Sequence, residues 1–307
     1  MASTGYHIPV LLHESVTGLA IKPGGTYVDL TYGGGGHSRE ITEQLGKGML
    51  IAFDQDPAVK DHLIHDRRFR FVQHNYRYFR NYLRYMGIDK VDGILGDLGV
   101  SAEHLDNPER GFSYRFDAEL DLRMNPEIAK SASDLVNTLP EQELTRILKE
   151  FGELDQPSRI AGRIIDKRQS GRITRTGELA DLLRPLFPRN RENKMLAQVF
   201  QAFRIAVNHE MDSLKAMLAE TPYVLRPGGR LVIISYHSLE DRLVKNFIRA
   251  GTFAGELRTD VYGNPLVPFI PINRKVIVAE PEEVRRNPRA RSARLRIAER
   301  TEYQDHV

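Results

Sequence analysis

The stretch TYVDLTYGGGGHSRE, residues 26–40, places four glycines between a β-rich run and a segment of helical character. Without Cβ atoms in such a loop a ligand can lie against the backbone, and the next helix offers free N–H groups to an anionic group. Roughly 20 residues further on, Asp54 ends the second β-rich run. A carboxylate there can accept both hydroxyl protons of a ribose. The pattern predicts a ligand containing adenosine at the carboxyl ends of parallel strands.

Two common nucleotide-binding patterns do not fit this loop. The dinucleotide fingerprint needs a glycine where either frame of this sequence has Ser38 or Arg39. The phosphate-binding P-loop ends in Gly-Lys-Ser/Thr, and Gly46-Lys47-Gly48 does not supply it. A ligand with adenosine and a carboxylate but no phosphate therefore suits the loop better. The alternative is a flexible glycine turn, with Asp54 only capping the end of its strand.

Short β-rich runs alternate with helical segments in the first third of the chain, which is typical of βαβ units. We therefore predict an α/β fold with a doubly wound, Rossmann-like and mostly parallel sheet. Predicted strands cover residues 26–30, 49–53, 70–73, 91–95, 231–234, 275–278 and 295–297. Predicted helices between the first four strands cover residues 37–45, 57–64 and 76–86.

The middle of the chain has helical periodicity and no strand pattern. We predict a sheet domain made of residues 1–125 and 189–307, interrupted by a helical substrate-recognition domain at 126–188. A single long helix is predicted over residues 195–219, after the insertion. A further helix is predicted to start at HSLED, with Ser238 as its capping residue.

The segment GILGDLGVSAEHLD, residues 93–106, places Asp97 directly after the fourth predicted strand. In a doubly wound sheet this strand lies beside the first, so Asp97 is expected to face the same crevice as the glycine loop. A buried carboxylate needs a partner, and an amine-bearing substrate or the cofactor would be one. The alternative is that Asp97 only caps the following turn.

Charge and composition limit the functional classes. The chain has 44 Lys and Arg against 41 Asp and Glu, a net charge of +3, so nucleic-acid binding requires clustered basic residues. Cysteine is absent, which excludes disulfides, zinc-thiolate sites, iron–sulfur clusters and a thiol nucleophile; no metal site is predicted. No apolar run approaches a membrane span, so we expect a cytoplasmic protein without a membrane partner.

Basic residues do cluster near the end of the sequence, where VRRNPRARSARLRIAER contains seven arginines. Arg289, Arg291 and Arg294 are candidates for contacts with RNA phosphates. Arg110 and Arg115 alternate with aromatic side chains in a mixture suited to stacking an unpaired base. The alternatives are a solvated charged face and aromatic residues that belong to the core.

Six blocks of sequence, in this order, resemble the MraW/RsmH family of bacterial methyltransferases. They are DLTYGGGGHS (29–38), GILGDLGVS (93–101), ERGFSYRFDAELDLRMNP (109–126), VFQAFRIAVN (199–208), LRPGGRLVIISYHSLEDRLVK (225–245) and NPRARSARLRIAER (287–300). The resemblance runs from His7 to about Arg300. Within these blocks Asn125 stands where the family usually has Asp, and we assign it no role.

This resemblance implies a class I methyltransferase with S-adenosylmethionine as cofactor. Its substrate would be the exocyclic N4 amine of a cytidine in the decoding region of small-subunit ribosomal RNA, within an assembled or assembling 30S subunit. A homodimer is compatible with it. The cofactor contacts implied by matching positions are Gly35, Gly36, His37, Asp54, Tyr76, Asp97 and His104. Tyr76 stands where the family has Phe, and His104 where it has Gln.

The lone pair of the amine is delocalised into the cytosine ring, and a carboxylate or a backbone carbonyl that accepts an amine proton would localise it; Asp97 is the candidate. The target base must leave its stack to reach the pocket. Methylation at carbon C5 through a covalent adduct needs a thiol, which this sequence lacks. Two other interpretations are a methyltransferase for another class of substrate and a non-enzymatic RNA-binding assembly factor with the same fold.

Overall fold

The computed structural model describes residues 9–101 and 107–303, so the predicted cofactor residue His104 lies outside the described part of the chain. Two compact units are present. One comprises Met1–Gly99 and Met211–Val307, and the other comprises Val100–Glu210.

The first unit contains the sheet. Its strands are β1 (Thr26–Asp29), β2 (Met49–Asp54), β3 (Phe69–Gln73), β4 (Val91–Asp97), β5 (Leu225–Ser235), β6 (Phe269–Pro271) and β7 (Arg294–Arg300). Within the described residues they form one sheet in the order β3-β2-β1-β4-β5-β7-β6. Strands β1 to β5 pair in parallel, whereas β7 is antiparallel to β5 and β6. The predicted α/β fold with a mostly parallel sheet is confirmed.

The α-helices of the described residues are α1 (Leu12–Leu19), α2 (Gly36–Gln44), α3 (Phe79–Tyr85), α4 (Ala132–Thr138), α5 (Glu141–Glu150), α6 (Pro157–Gln169), α7 (Thr176–Leu183), α8 (Glu192–Asn208), α9 (Glu210–Val224), α10 (Ser238–Ala250) and α11 (Pro281–Arg286). Short 3-10 helices cover Pro57–His62, Tyr76–Tyr78, Pro108–Arg110, Arg184–Leu186 and Pro288–Ser292. None of the helices in these described ranges has the length and apolarity needed to cross a membrane.

The strand order places a crevice beside β1. Chain order runs outward from β1 in one direction through β2 and β3, and in the other through β4 and β5. At such a switch point the loops that leave the carboxyl ends of β1 and β4 diverge to opposite sides, which opens a space for a ligand. Buried apolar residues of β1, β2, β4, β5 and β7 form a core with α1 and α2 beneath this edge. The sheet therefore supplies a rigid base for the residues that follow these strands.

The helical unit is wider than the predicted insertion of residues 126–188. Phe112 and Leu120, which precede that range, share one hydrophobic core with Leu144 inside it and with Leu196 and Phe203 after it. Because these residues bury one another, the unit that packs together extends over Val100–Glu210. Periodicity alone locates the helices of this unit but not the flanking segments that complete its core.

Two predicted elements are wrong. The helix over 195–219 is not continuous: α8 ends at Asn208, His209 takes a left-handed conformation with φ 50°, and α9 begins at Glu210. The strand over 275–278 is reduced to a single bridge between Ile277 and Leu295. There the side chain of Asn273 accepts the backbone N–H of Ile297 at 2.8 Å, replacing a strand partner.

Candidate cofactor and active site

Three carboxylates lie at the carboxyl ends of neighbouring strands. Asp29 ends β1, Asp54 ends β2 and Asp97 ends β4. Because the three strands are parallel and adjacent, their ends meet at one edge of the sheet. Two of these acids, Asp54 and Asp97, were predicted from the sequence, and the structure places both at the edge where the glycine loop begins.

The glycine loop is a fixed structure. Gly33 and Gly35 have φ values of 50° and 75°, a backbone region that favours glycine. A Cβ atom at Gly35 would lie 2.6 Å from the hydroxyl oxygen of Tyr32, and one at Gly36 would lie 2.1 Å from Cγ of Pro9. The loop therefore has no room for side chains at these positions, where Tyr32 and Pro9 pack against its backbone at the start of α2.

Asp54 connects this loop to the second strand. Its Oδ2 accepts the backbone N–H of Gly33 at 2.8 Å, and its Oδ1 accepts the backbone N–H of Asp56 at 2.9 Å. A carboxylate has about four lone-pair sites, so these two hydrogen bonds do not use up the acceptor capacity of the Asp54 side chain. The strand-end cap and the ligand contact are therefore compatible roles for the same side chain.

Asp29 is a functional candidate that the sequence analysis missed. Its side chain is buried and accepts hydrogen bonds from the Ser38 hydroxyl at 2.6 Å and the Thr31 backbone N–H at 3.1 Å. These contacts tie the end of β1 to the first turn of α2 across the glycine loop. Burial raises the pKa of Asp29 to about 6. The sequence signal that could have identified Asp29 is an acid at the end of the strand that precedes the glycine loop.

The raised pKa of Asp29 predicts a pH dependence of stability. The folded state keeps a proton that the unfolded chain releases above its ordinary pKa of 3.8, so ionisation disfavours folding as pH rises from about 4 to 6. We expect Asp29→Asn to gain stability relative to the wild type by roughly 2 kcal/mol across this window. Urea unfolding at pH 4, 5, 6 and 7 measures the difference.

Asp66 is the control for that experiment, because its pKa is shifted in the opposite direction. It is half-buried, and hydrogen bonds from the Arg68 side chain lower its pKa to about 2. The ionised Asp66 stabilises the folded state above its ordinary pKa of 3.8, and this contribution is lost as the pH falls towards 2. The stability of Asp66→Asn relative to the wild type should therefore not increase between pH 4 and 6. A pH-independent difference between Asp29→Asn and the wild type would contradict the assignment.

Asp97 lies at the end of β4 with its two oxygens in different surroundings. The Tyr236 hydroxyl donates to Oδ1 at 2.8 Å, and Oδ2 is 3.9 Å from Nδ1 of His37. The Asp97 backbone N–H donates to the Thr31 hydroxyl at 2.7 Å. Burial, together with the nearby charges of Asp29 and Glu240, raises the pKa of Asp97 to about 7. A carboxylate with this pKa accepts and releases protons at neutral pH.

The other predicted cofactor residues of the sheet unit lie at the same edge. His37 stands in the first turn of α2, where its ring is buried and Nε2 lies 3.1 Å from the carbonyl oxygen of Val10. Tyr76 is half-buried and follows β3 in a short 3-10 helix. With Gly35, Gly36, Asp54 and Asp97, they form a set suited to a nucleoside bearing a carboxylate. Contact of each residue with the cofactor stays a prediction.

In the helical unit, Arg110 has a structural partner. Its guanidinium donates to the carbonyl oxygens of Arg123 and Met124 at 3.2 and 3.0 Å, and it lies 5.9 Å from the ring centre of Phe112. Phe112 belongs to the core, as the alternative interpretation of the aromatic residues expected, whereas Phe116 is 49% exposed. Arg115 is also exposed. The stacking role predicted for this segment is therefore restricted to its exposed members.

The C-terminal arginines divide into two groups. Arg294 and Arg296 form ion pairs with Asp241 at 3.2 and 2.7 Å, so part of their charge is neutralised within the fold. Arg291 is exposed and lies with Arg289 in the 3-10 helix before β7. Because Arg294 pairs with Ser235 at the carboxyl end of β5, this helix lies at the same edge of the sheet as Asp97.

A cavity of about 320 Å³ opens beside these arginines. The residues lining it come from the segment after β5 and from the approach to β7: Tyr236, His237, Ser238, Val278, Arg291, Ser292, Ala293 and Arg294. The two guanidinium groups and the two serine hydroxyl groups of this lining are donors suited to an anion.

A mostly parallel sheet of this order, with a glycine loop after β1 and acids after β2 and β4, is the arrangement of a class I methyltransferase, the class of enzyme that uses S-adenosylmethionine. The model of the MraW methylase family matches residues 4–301. The chain therefore belongs to the MraW methylase family.

Similar proteins cover almost the whole chain. Ribosomal RNA small subunit methyltransferase H of Bacteroides thetaiotaomicron is 52% identical over 296 residues, which are 96% of this chain and 97% of that protein. The protein of the same name from Cytophaga hutchinsonii is 52% identical over 297 residues, 96% of this chain and 99% of that protein. The one from Christiangramia forsetii is 50% identical over 294 residues, 95% and 97% of the two chains.

Proposed function

We propose that this protein methylates the exocyclic N4 amine of a cytidine in the decoding region of small-subunit ribosomal RNA. The observation that carries the proposal is the position of Asp97, a half-buried carboxylate with a pKa of about 7 at the edge of the sheet where the glycine loop begins. The relatives named above are methyltransferases of the small ribosomal subunit, which supports RNA as the substrate. Other substrate classes and a non-enzymatic assembly role are outcomes of the test.

The residues of the sheet unit fit the cofactor. Asp54 would accept the ribose hydroxyls, and Gly35 and Gly36 would bring the backbone close to the methionine portion. His37 and Tyr76 would complete the pocket. The cofactor supplies an electrophilic methyl group on a positively charged sulfur.

The chain's own residues would then position the substrate and move one proton. The amine nitrogen would form the new N–C bond as the C–S bond of the cofactor breaks, and Oδ2 of Asp97 would accept an amine proton. Withdrawing that proton localises the lone pair on the nitrogen. General-base catalysis of this kind contributes rate factors of about 10²–10⁴. Holding amine, methyl and sulfur in line supplies much of the remaining rate enhancement.

The direct test is methyl transfer from labelled S-adenosylmethionine. Small ribosomal subunits from cells lacking this protein, RNA extracted from them, and their proteins are supplied as separate substrates. We expect label in RNA and, after digestion, N4-methylcytidine by mass spectrometry. Label in protein, or methyl at another cytidine atom, would contradict the proposal. Failure to bind S-adenosylmethionine in calorimetry would favour the non-enzymatic interpretation.

The position of Arg291 predicts a contact with an RNA phosphate near the active site. We expect Arg291→Ala to weaken binding of small subunits and to reduce the slope of log affinity against log salt by about 1. Filter binding between 50 and 200 mM salt measures both. Arg70→Ala is the matched control, because Arg70 is exposed near the start of β3, at the opposite edge of the sheet. An equal effect of both substitutions would exclude a local contact.

A further inference from the structure

Tyr236 connects two strand ends that are far apart in the sequence. It follows β5 directly, and β5 runs parallel to β4 with Ile234 paired to Asp97. This pairing brings the Tyr236 hydroxyl within 2.8 Å of Oδ1 of Asp97. Burial and the neighbouring carboxylate raise the pKa of the Tyr236 phenol far above its ordinary value of 10. The phenol therefore remains protonated and donates this hydrogen bond at every pH at which the protein works.

The backbone of Tyr236 is itself fixed by the start of α10. Its N–H donates to Oε2 of Glu240 at 2.9 Å, and Glu240 is buried. The capping residue of α10 is His237, whose Nδ1 lies 3.4 Å from the Glu240 backbone N–H; the prediction that Ser238 caps this helix is wrong. The first turn of α10 therefore determines where the phenol points.

We propose that Tyr236 is a positioning residue for methyl transfer, whose hydroxyl orients the Asp97 carboxylate and stabilises its charged form, so that Oδ2 accepts the amine proton. The inference rests on the proposed function and adds a residue that does not touch the reacting atoms. Two anchors define the orientation of Asp97: the phenol at Oδ1 and the Thr31 hydroxyl at the backbone N–H. Without the phenol, the carboxylate can rotate about its Cβ–Cγ bond and loses a donor that stabilises its charged form.

The groups around Asp97 give the sign of the expected pH effect. Asp29 from β1 and Glu240 from α10 disfavour its charged form, as does burial, whereas the phenol favours it. His37 from α2 lies 3.9 Å away. Removing the phenol hydroxyl leaves the unfavourable contributions in place, so the pKa of Asp97 rises. Since the reaction needs the ionised carboxylate, activity should then require a higher pH.

The test is the pH profile of kcat with small ribosomal subunits as substrate. We expect the acid limb of Tyr236→Phe to move upward by roughly one pH unit, with most of the wild-type kcat recovered at pH 9. Replacing Tyr236 with 3-fluorotyrosine strengthens the donor and preserves the shape of the side chain, so its acid limb should move in the opposite direction. The KM for S-adenosylmethionine should change little in either variant.

Tyr27→Phe is the matched control. Tyr27 is buried, and its hydroxyl takes part in a hydrogen bond with the Lys22 backbone N–H at 2.7 Å, but near the amino end of β1. It should lose a similar amount of stability with an unmoved pH profile. An unmoved acid limb in both Tyr236 variants, or an equal loss of kcat at every pH, overturns the proposal.

One additional measurement separates this inference from the proposed function. The titration of the Asp97 carboxyl carbon is followed by NMR in the wild type and in Tyr236→Phe, without any RNA. A higher midpoint in the variant supports the role of Tyr236 even if ribosomal RNA proves not to be the substrate. Equal midpoints contradict it even if N4-methylcytidine is formed.

Discussion

Asp97→Asn is expected to lower kcat by about 10²–10⁴-fold while leaving the affinity for S-adenosylmethionine within a few-fold of the wild type. The amide has nearly the same shape as the carboxylate, and its oxygen can still accept the Tyr236 hydroxyl that lies 2.8 Å from Oδ1. It cannot take up the amine proton. The substitution therefore removes proton acceptance without changing the packing. Single-turnover methylation of small subunits measures the rate of the chemical step, and calorimetry measures the affinity for the cofactor.

The matched control for this substitution is Asp92→Asn. Asp92 belongs to the same strand and accepts the Thr26 backbone N–H at 2.9 Å, but it lies near the amino end of β4. It should reduce stability modestly and leave kcat unchanged. If Asp97→Asn turned over at the wild-type rate, Asp97 would have no part in the chemistry, and another group would have to accept the proton.

The second large effect is expected from Asp54→Ala, which should raise the Kd for S-adenosylmethionine by about 100-fold or more. The wild-type carboxylate fixes the glycine loop through the Gly33 N–H at 2.8 Å and is the proposed acceptor for the ribose hydroxyls. Hydrogen bonds to a charged group contribute about 1.5–3 kcal/mol each, and every 1.4 kcal/mol is a factor of ten in affinity. Calorimetric titration measures the change directly.

A comparison within the same position distinguishes the two roles of Asp54. In Asp54→Asn the side-chain oxygen can still accept one backbone N–H, but the group no longer offers a charged acceptor to two hydroxyls. We expect an intermediate Kd, and Asp92→Ala should leave the Kd unchanged because it removes a carboxylate from the other edge of the sheet. Wild-type affinity in Asp54→Ala would exclude this edge as the adenosine site.

The sequence was most informative where the residues that form a feature are close together in the chain. The glycine loop and Asp54 lie within one βαβ unit. The short stretch of sequence between them therefore includes both the start of the helix and strand β2. The strands β1 to β4 were predicted close to their observed bounds, because each is a short β-rich run that alternates with a helical segment. Prediction failed at His209, where one residue in a left-handed conformation divides an otherwise continuous helical pattern.

The sequence by itself determined the class of fold, the glycine loop and the acids at the ends of β2 and β4. Only the tertiary structure decided the surroundings of those acids. Tyr236 and Asp97 are 139 positions apart, and their contact exists because β5 pairs with β4 in one register. Periodicity records which side chains are buried, whereas the partners of a buried acid depend on the order and register of strands distant in the chain.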